Sequence, residues 1–144
     1  VFGTADGRVH AVRGTDGQPL QGFPFQTGGR IQAPATITQL ARNSHHQHVL
    51  IMSFDGFLYM IDGKSACAHT VDIGEASYAA VLVDDLAGDG LLELLVATMN
   101  GNVYMLQVQC AACAAQHALL DKRVALQVAV LLAEPSSQCV DTSR

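Results

Sequence analysis

The sequence predicts an all-β fold made of repeated four-stranded antiparallel units, and two observations lead there. The first is internal repetition. "VFGTADGRVHAV" from Val1, "LIMSFDGFLYMI" from Leu50 and "LVATMNGNVYML" from Leu95 read alike. Each is a short apolar run, then Asp-Gly or Asn-Gly, then a second run that carries an aromatic or His near its end. The anchors Asp6, Asp55 and Asn100 stand 49 and 45 residues apart. The second is that the likeness extends beyond these hairpins. At an offset of 45, Gly29 matches Gly74, Ala35 matches Ala80, Ile51 matches Val96, Gly56 matches Gly101 and Tyr59 matches Tyr104.

Each element has a physical basis. Asp-Gly and Asn-Gly tolerate positive φ at both central positions of a two-residue loop, so between apolar runs they signal a hairpin. Further turns are expected at Asp16-Gly17 and Asp62-Gly63. In the best copy the four strands are Pro34–Leu40, His48–Ser53, Phe57–Ile61 and Ala68–Ile73. Phe23-Pro24-Phe25 reads as an outer edge strand, because Pro cannot donate to a ladder. Phe54, Phe57, Tyr59 and Tyr104 are expected on strands, in the core between units.

Four short antiparallel strands repeating every 40 to 50 residues are the pattern of a β-propeller blade. A lone blade leaves apolar faces uncovered, so blades must stack. The expected fold is thus a partial β-propeller of about two and a half blades. Residues 1–28 end one blade, 29–73 form a complete blade, and 74–108 form an incomplete one. Propellers have about four to eight blades, so the chain is expected to be part of a larger propeller. The start at Val1, inside a strand-like pattern, reads as a fragment or a mature segment and carries no targeting information.

After Val108 the pattern stops. Residues 109–135 are rich in Ala, Leu and Val, and Leu119, Leu120, Val124, Leu126, Val128 and Leu131 would give an apolar helical face. This stretch reads either as a C-terminal helix packed on the unfinished blade or as a splicing artefact. Residues 136–144 read as a disordered tail. No apolar run reaches the length of a membrane span.

Charge and cysteine usage narrow the function. A formal charge of −5 argues against a nucleic-acid partner, which needs Lys and Arg facing phosphates. Cys67, Cys110, Cys113 and Cys139 allow three pairings, and spacing does not choose among them. Cys110 and Cys113 form a CxxC, either half of a zinc or redox site or small residues in an Ala-rich stretch. "HHQH" (His45, His46, His48) reads as a polar loop, with no carboxylate near in sequence to complete a transition-metal site.

The acidic stretch "DLAGDGLLE", Asp85 to Glu93, carries the main functional signal. A calcium loop needs oxygen ligands at alternate positions, a Gly for the sharp turn and a closing carboxylate. Asp85, Asp89 and Glu93 fall at positions 1, 5 and 9. Gly90 supplies the turn, and Leu91 offers its carbonyl at position 7. Asp84 adjoins the loop and is expected to point to the other face of the strand. At offset 45 the three acids map to Leu40, Ser44 and His48, so the hairpin does not itself require them.

"DLAGDGLLELLVA" resembles the FG-GAP repeat of integrin-type propellers, in which a short Asp-rich calcium loop feeds a strand. The wider stretch from "VFGTADGRVHAV" to "TMNGNVYML" is similar to the plant defective-in-exine-formation family, over about residues 1–106. The resemblance implies a non-enzymatic, membrane-anchored propeller of the secretory pathway, with calcium sites and a part in pollen cell-wall patterning. It implies a scaffold or a protein or cell-wall partner. One departure is plain: position 3 is Ala87, where the family carries Asp or Asn. With one ligand missing, any Ca2+ is expected to bind weakly, at about 10⁻⁴ to 10⁻³ M. The alternative is a fragment of a quinoprotein (PQQ-type) dehydrogenase propeller, whose repeats resemble "ADGRVHAV". That class relies on Trp docking between blades, and this chain has no Trp.

Overall fold

The computed structural model describes residues 1–40 and 45–108, and among these ten strands form three antiparallel sheets. The first sheet holds β1 (Phe2–Gly3), β2 (Arg8–His10) and β3 (Phe25–Gln26). The second holds β4 (Thr36–Thr38), β5 (His48–Met52), β6 (Phe57–Asp62) and β7 (Ala68–Asp72). The third holds β8 (Leu82–Asp84), β9 (Glu93–Ala97) and β10 (Val103–Gln107). Strands consecutive in the chain are neighbours in every sheet. The expected four-strand meander of the middle unit is present, with its first strand trimmed to Thr36–Thr38. The helix expected over 109–135, the tail 136–144, Cys110, Cys113 and Cys139 lie outside the described residues.

The repeated turns differ from the two-residue loops expected. Thr4 N–H donates to the Arg8 carbonyl at 2.9 Å, and Gly7 N–H donates back to the Thr4 carbonyl at 3.0 Å. Three residues therefore make the loop, Ala5 to Gly7. Ser53 with Phe57 and Thr98 with Asn102 close the same loop in the other sheets. Only the Gly takes positive φ, at +84°, +88° and +84° for Gly7, Gly56 and Gly101. This is a type I turn followed by a left-handed residue, the usual three-residue hairpin. Asp6, Asp55 and Asn100 need no unusual backbone.

Asp62-Gly63 also departs from expectation. Asp62 N–H donates to the Cys67 carbonyl at 2.8 Å, so the loop runs from Gly63 to Ala66. The left-handed residue is Ala66, at φ 55°. Asp62 holds the turn with one oxygen, Oδ1, which accepts from Lys64 N–H (3.0 Å), Ser65 N–H (2.7 Å) and the Ser65 hydroxyl (2.8 Å).

The middle sheet is covered on both faces. Val49, Ile51, Tyr59, Ile61 and Ala68 pack with Val9 and Phe25 of the first sheet. Leu50, Met52, Leu58 and Val71 pack with Leu94, Val96 and Leu106 of the third. Strand alternation explains the split, since successive side chains point to opposite faces. Leu50, Ile51 and Met52 are all 0% exposed, which requires a neighbour on each side. Polar links reinforce the stacking. Phe54 N–H donates to the Arg30 carbonyl (3.0 Å) and Met99 N–H to the Ala76 carbonyl (2.9 Å), tying each connecting segment to the next hairpin. The buried Tyr59 hydroxyl donates to Asp55 Oδ2 (2.6 Å) and accepts from Gly28 N–H (3.0 Å). Burial, with the Asp55 bond second, pushes this phenol up to about 12.

Phe54 does not lie on a strand. It sits in the second hairpin loop, under the Arg30 guanidinium at 4.2 Å and edge-on to Tyr78. Phe57 and Tyr59 pack in the first cluster and Tyr104 against the second, as expected. Phe25 forms the edge strand β3, and Phe23 is buried beside it.

Two predictions follow from the packing and the turn. A Cβ on Gly3 would lie 2.2 Å from Ile31 Cγ2 and 3.2 Å from Ile51 Cδ1. Gly3→Ala should therefore lower stability by about 1–3 kcal/mol in urea unfolding, through overpacking between two sheets. Burial pushes the Asp62 carboxyl up, but the Ser65 amide and hydroxyl, the Lys64 amide and His46 outweigh it and hold it at about 2. A lowered carboxyl stabilises the fold above its ordinary value of 3.8, and that stabilisation is lost as pH falls through about 2. Asp62→Ala should thus be destabilising at pH 6, and its difference from the parent should shrink between pH 4 and 2; a constant difference would contradict the assignment.

Candidate metal centre

The acidic loop joins β8 to β9. Register places Asp84 opposite Glu93, Val83 opposite Leu94 and Leu82 opposite Leu95. Directly opposed residues share a face of an antiparallel pair. Asp84 and Glu93 thus lie on one face, contrary to the expectation that Asp84 points away from the loop acids. Asp84 is exposed, and its Oδ1 accepts from Asp85 N–H at 2.9 Å.

Between the strands the chain turns at Gly88 and Gly90, with φ of +70° and +89°. The loop's own amides bind its acids. Asp85 Oδ2 accepts from Gly90 N–H at 2.9 Å, drawing position 6 back onto position 1. Asp89 Oδ1 accepts from Leu91 N–H at 2.8 Å, an Asx turn. Glu93 begins β9, and the loop folds over it until it is only 2% exposed. Its Oε2 accepts from Leu86 N–H at 2.8 Å and Ala87 N–H at 3.4 Å. A buried carboxylate without donors would be costly, and these amides supply them.

Gln107 on β10 completes the cluster and was not expected. Its Nε2 lies 3.3 Å from Asp89 Oδ2 and 3.4 Å from Glu93 Oε1. It stands 18 and 14 residues beyond these acids in sequence, so no loop spacing reveals it. Only the pairing of β10 with β9, which sets Gln107 opposite Glu93, brings it there.

The expected ligands divide accordingly. Asp89 and Glu93 converge on one amide donor. Asp85 is held to Gly90. Leu91, expected to offer a carbonyl, engages Asp89 through its amide, and its side chain is exposed. Ala87 contributes an amide to Glu93 and no side-chain oxygen. Among the described residues, no three or more His, Cys, Asp or Glu side chains are grouped to hold a metal. The donor set is nonetheless all hard oxygen, which suits Ca2+ or Mg2+ rather than a softer ion. Two carboxylates facing one neutral amide nitrogen also mark a place where positive charge is favoured.

The histidine loop carries a carboxylate that its sequence neighbourhood lacks. Asp62 Oδ2 lies 3.3 Å from His46 Nδ1 and 3.9 Å from His48 Nε2. Burial lowers the His48 imidazole's affinity for a proton, against the pull of Asp62. Nearby, an open groove of about 310 Å³ has Ala11, Leu20, Phe23 and Val49 among its walls, with His46 and Lys64 beside them. No protein-family model matches this chain, and no curated protein matches it.

The two loop acids should separate in unfolding experiments. Glu93→Ala leaves the Leu86 amide without its buried acceptor and should cost about 1.5–3 kcal/mol in urea unfolding. Asp89→Ala removes an exposed Asx turn and should cost less than about 1 kcal/mol.

Proposed function

We propose that this chain is a non-enzymatic segment of an FG-GAP-type propeller that binds calcium weakly through the loop from Asp85 to Glu93. Its role is that of a scaffold or protein-interaction module in the secretory pathway or at the cell surface. Membrane anchoring of a parent protein and cell-wall patterning are what the resemblance to the defective-in-exine-formation family adds. Three antiparallel sheets stacked in chain order support the propeller reading.

The observation that carries the calcium reading is the loop's use of its own amides. One oxygen each of Asp85, Asp89 and Glu93 accepts a loop N–H, and the Asp89 and Glu93 oxygens left over face the same Gln107 nitrogen. Such amide bonds fix the carboxylates before any ion arrives and lower the cost of ordering the loop. Asp85, Asp89 and Glu93, with the Leu91 carbonyl, are the residues that would hold the ion. When bound, it neutralises the acids and ties the loop to β9. With Ala87 at position 3, water must supply more of the six to eight oxygens that calcium takes.

A calcium titration of thermal unfolding tests this. At ten times its Kd, a ligand confined to the folded state adds about 1.4 kcal/mol. Roughly 10 mM calcium, against a Kd of about 1 mM, should therefore raise the Tm of the parent by several degrees and leave Asp89→Ala unmoved. A parent that unfolds cooperatively with no calcium response would sink the metal reading and leave the acids as a structural turn.

A further inference from the structure

We propose that His46, His48 and Asp62 form a binding site for a divalent transition metal of the Zn2+ class, with water completing the coordination. This site lies on the middle sheet and is independent of calcium at the acidic loop.

Strand pairing assembles the group. His48 opens β5 and Asp62 closes β6, and the two stand directly opposite in the register, on one face of the middle sheet. His46 lies two residues before His48. One carboxylate oxygen thus meets two imidazoles: Asp62 Oδ2 is 3.3 Å from His46 Nδ1 and 3.9 Å from His48 Nε2. A hydrogen bond with His46 accounts for the first distance, but not for a second imidazole turned to the same oxygen. Around a tetrahedral ion with bonds of about 2.0–2.1 Å, ligand atoms stand roughly 3.3 Å apart. His46 and Asp62 already have that spacing. His48 is about half an ångström too far, so among the described residues the three side chains do not close a cage as they stand. A small turn of the His48 ring closes it. The His46 side chain is 49% exposed, His48 23% and Asp62 19%, so an ion reaches them from solvent.

The carboxylate is already oriented as a ligand. Its Oδ1 is taken by the Lys64 and Ser65 amides and the Ser65 hydroxyl, which leaves Oδ2 to the imidazoles. Outer-shell bonds of this kind hold metal-binding carboxylates in place. Against burial, the same donors keep the carboxyl at about 2, so it is anionic at neutral pH. Burial favours the neutral His48 imidazole, the form that binds a metal. Two imidazole nitrogens and one carboxylate oxygen suit Zn2+, Cu2+ or Ni2+ rather than Ca2+.

The repeat points to the same corner. At offset 45, His48 and Asp62 match Glu93 and Gln107, the opposed pair in the acidic cluster of the third sheet. Consecutive sheets thus gather polar side chains at one equivalent place. The third sheet sets oxygens around it, and the middle sheet sets nitrogens around one carboxylate. An ion held there pins the segment entering β5 to the turn between β6 and β7.

NMR of the histidine rings in the whole chain, titrated with ZnCl2 near neutral pH, tests this. It reads these imidazoles apart from Cys110, Cys113 and Cys139. The His46 and His48 rings should shift together along one binding curve, and millimolar Ca2+ should leave them unmoved. Asp62→Asn keeps an oxygen for the turn and removes the anionic ligand. It should weaken Zn2+ binding at these rings by at least about tenfold, as losing even an outer-shell partner does. His45→Ala should bind as the parent does. Circular dichroism verifies each fold. If Asp62→Asn does not fold, His46→Ala, at an exposed ring, should show the same loss at His48. The proposal is overturned by rings that do not respond at about 1 mM Zn2+, where any tighter site is filled. It is equally overturned by parental affinity in Asp62→Asn, or in its substitute His46→Ala, or by a loss as large in His45→Ala.

Discussion

The fold turns on a short run of side chains in β5. Leu50, Ile51 and Met52 follow one another, and none has contact with water. A strand alternates its side chains, so such a run forces its sheet to be covered on both faces. An antiparallel sheet with one solvated face would instead alternate apolar with polar. The first and third sheets exist in their positions because this middle sheet needs them. The two apolar clusters on either side of it are the main attractive term in the described structure.

The hairpin loops set the geometry of that stacking. Each uses three residues and one left-handed Gly, and the second and third each donate an amide to the segment entering their own sheet, Phe54 N–H to the Arg30 carbonyl and Met99 N–H to the Ala76 carbonyl. The Gly7 carbonyl accepts from Thr27 N–H at 2.8 Å, and the Gly56 carbonyl from Ile73 N–H at 3.0 Å. The turn thus also anchors the end of the outer strand. Gly3 and Gly29 mark close approaches between neighbouring sheets. A Cβ on Gly29 would stand 2.6 Å from Asp55 N, which leaves no room for a side chain beside the second hairpin.

The acidic loop sits on this frame without being needed by it. The middle sheet forms the equivalent hairpin with Leu40 and His48 where the third has Asp85 and Glu93. In the third sheet, the carboxylates organise the loop through its own amides, and Glu93 becomes the buried centre of the connection. A calcium role and a structural role use the same oxygens in different proportions. The amides take one oxygen of each acid, and a cation at the loop would compete chiefly with the neutral Gln107 amide.

The sequence by itself determined the strands, their order and the repeat, because apolar alternation and Gly turns are local. His48–Ser53 was expected and His48–Met52 is found; Phe57–Ile61 was expected and Phe57–Asp62 is found. It also located the acidic loop, since Asp85, Asp89 and Glu93 are close along the chain. The loop length was misjudged, because Asp-Gly serves a three-residue turn as well as a two-residue one and the choice depends on strand register. Only the tertiary structure brought Gln107 to Asp89 and Glu93, Asp62 to His46, and Phe54 under Arg30. Those contacts join residues 14 or more apart, and nothing short of sheet pairing and stacking specifies them.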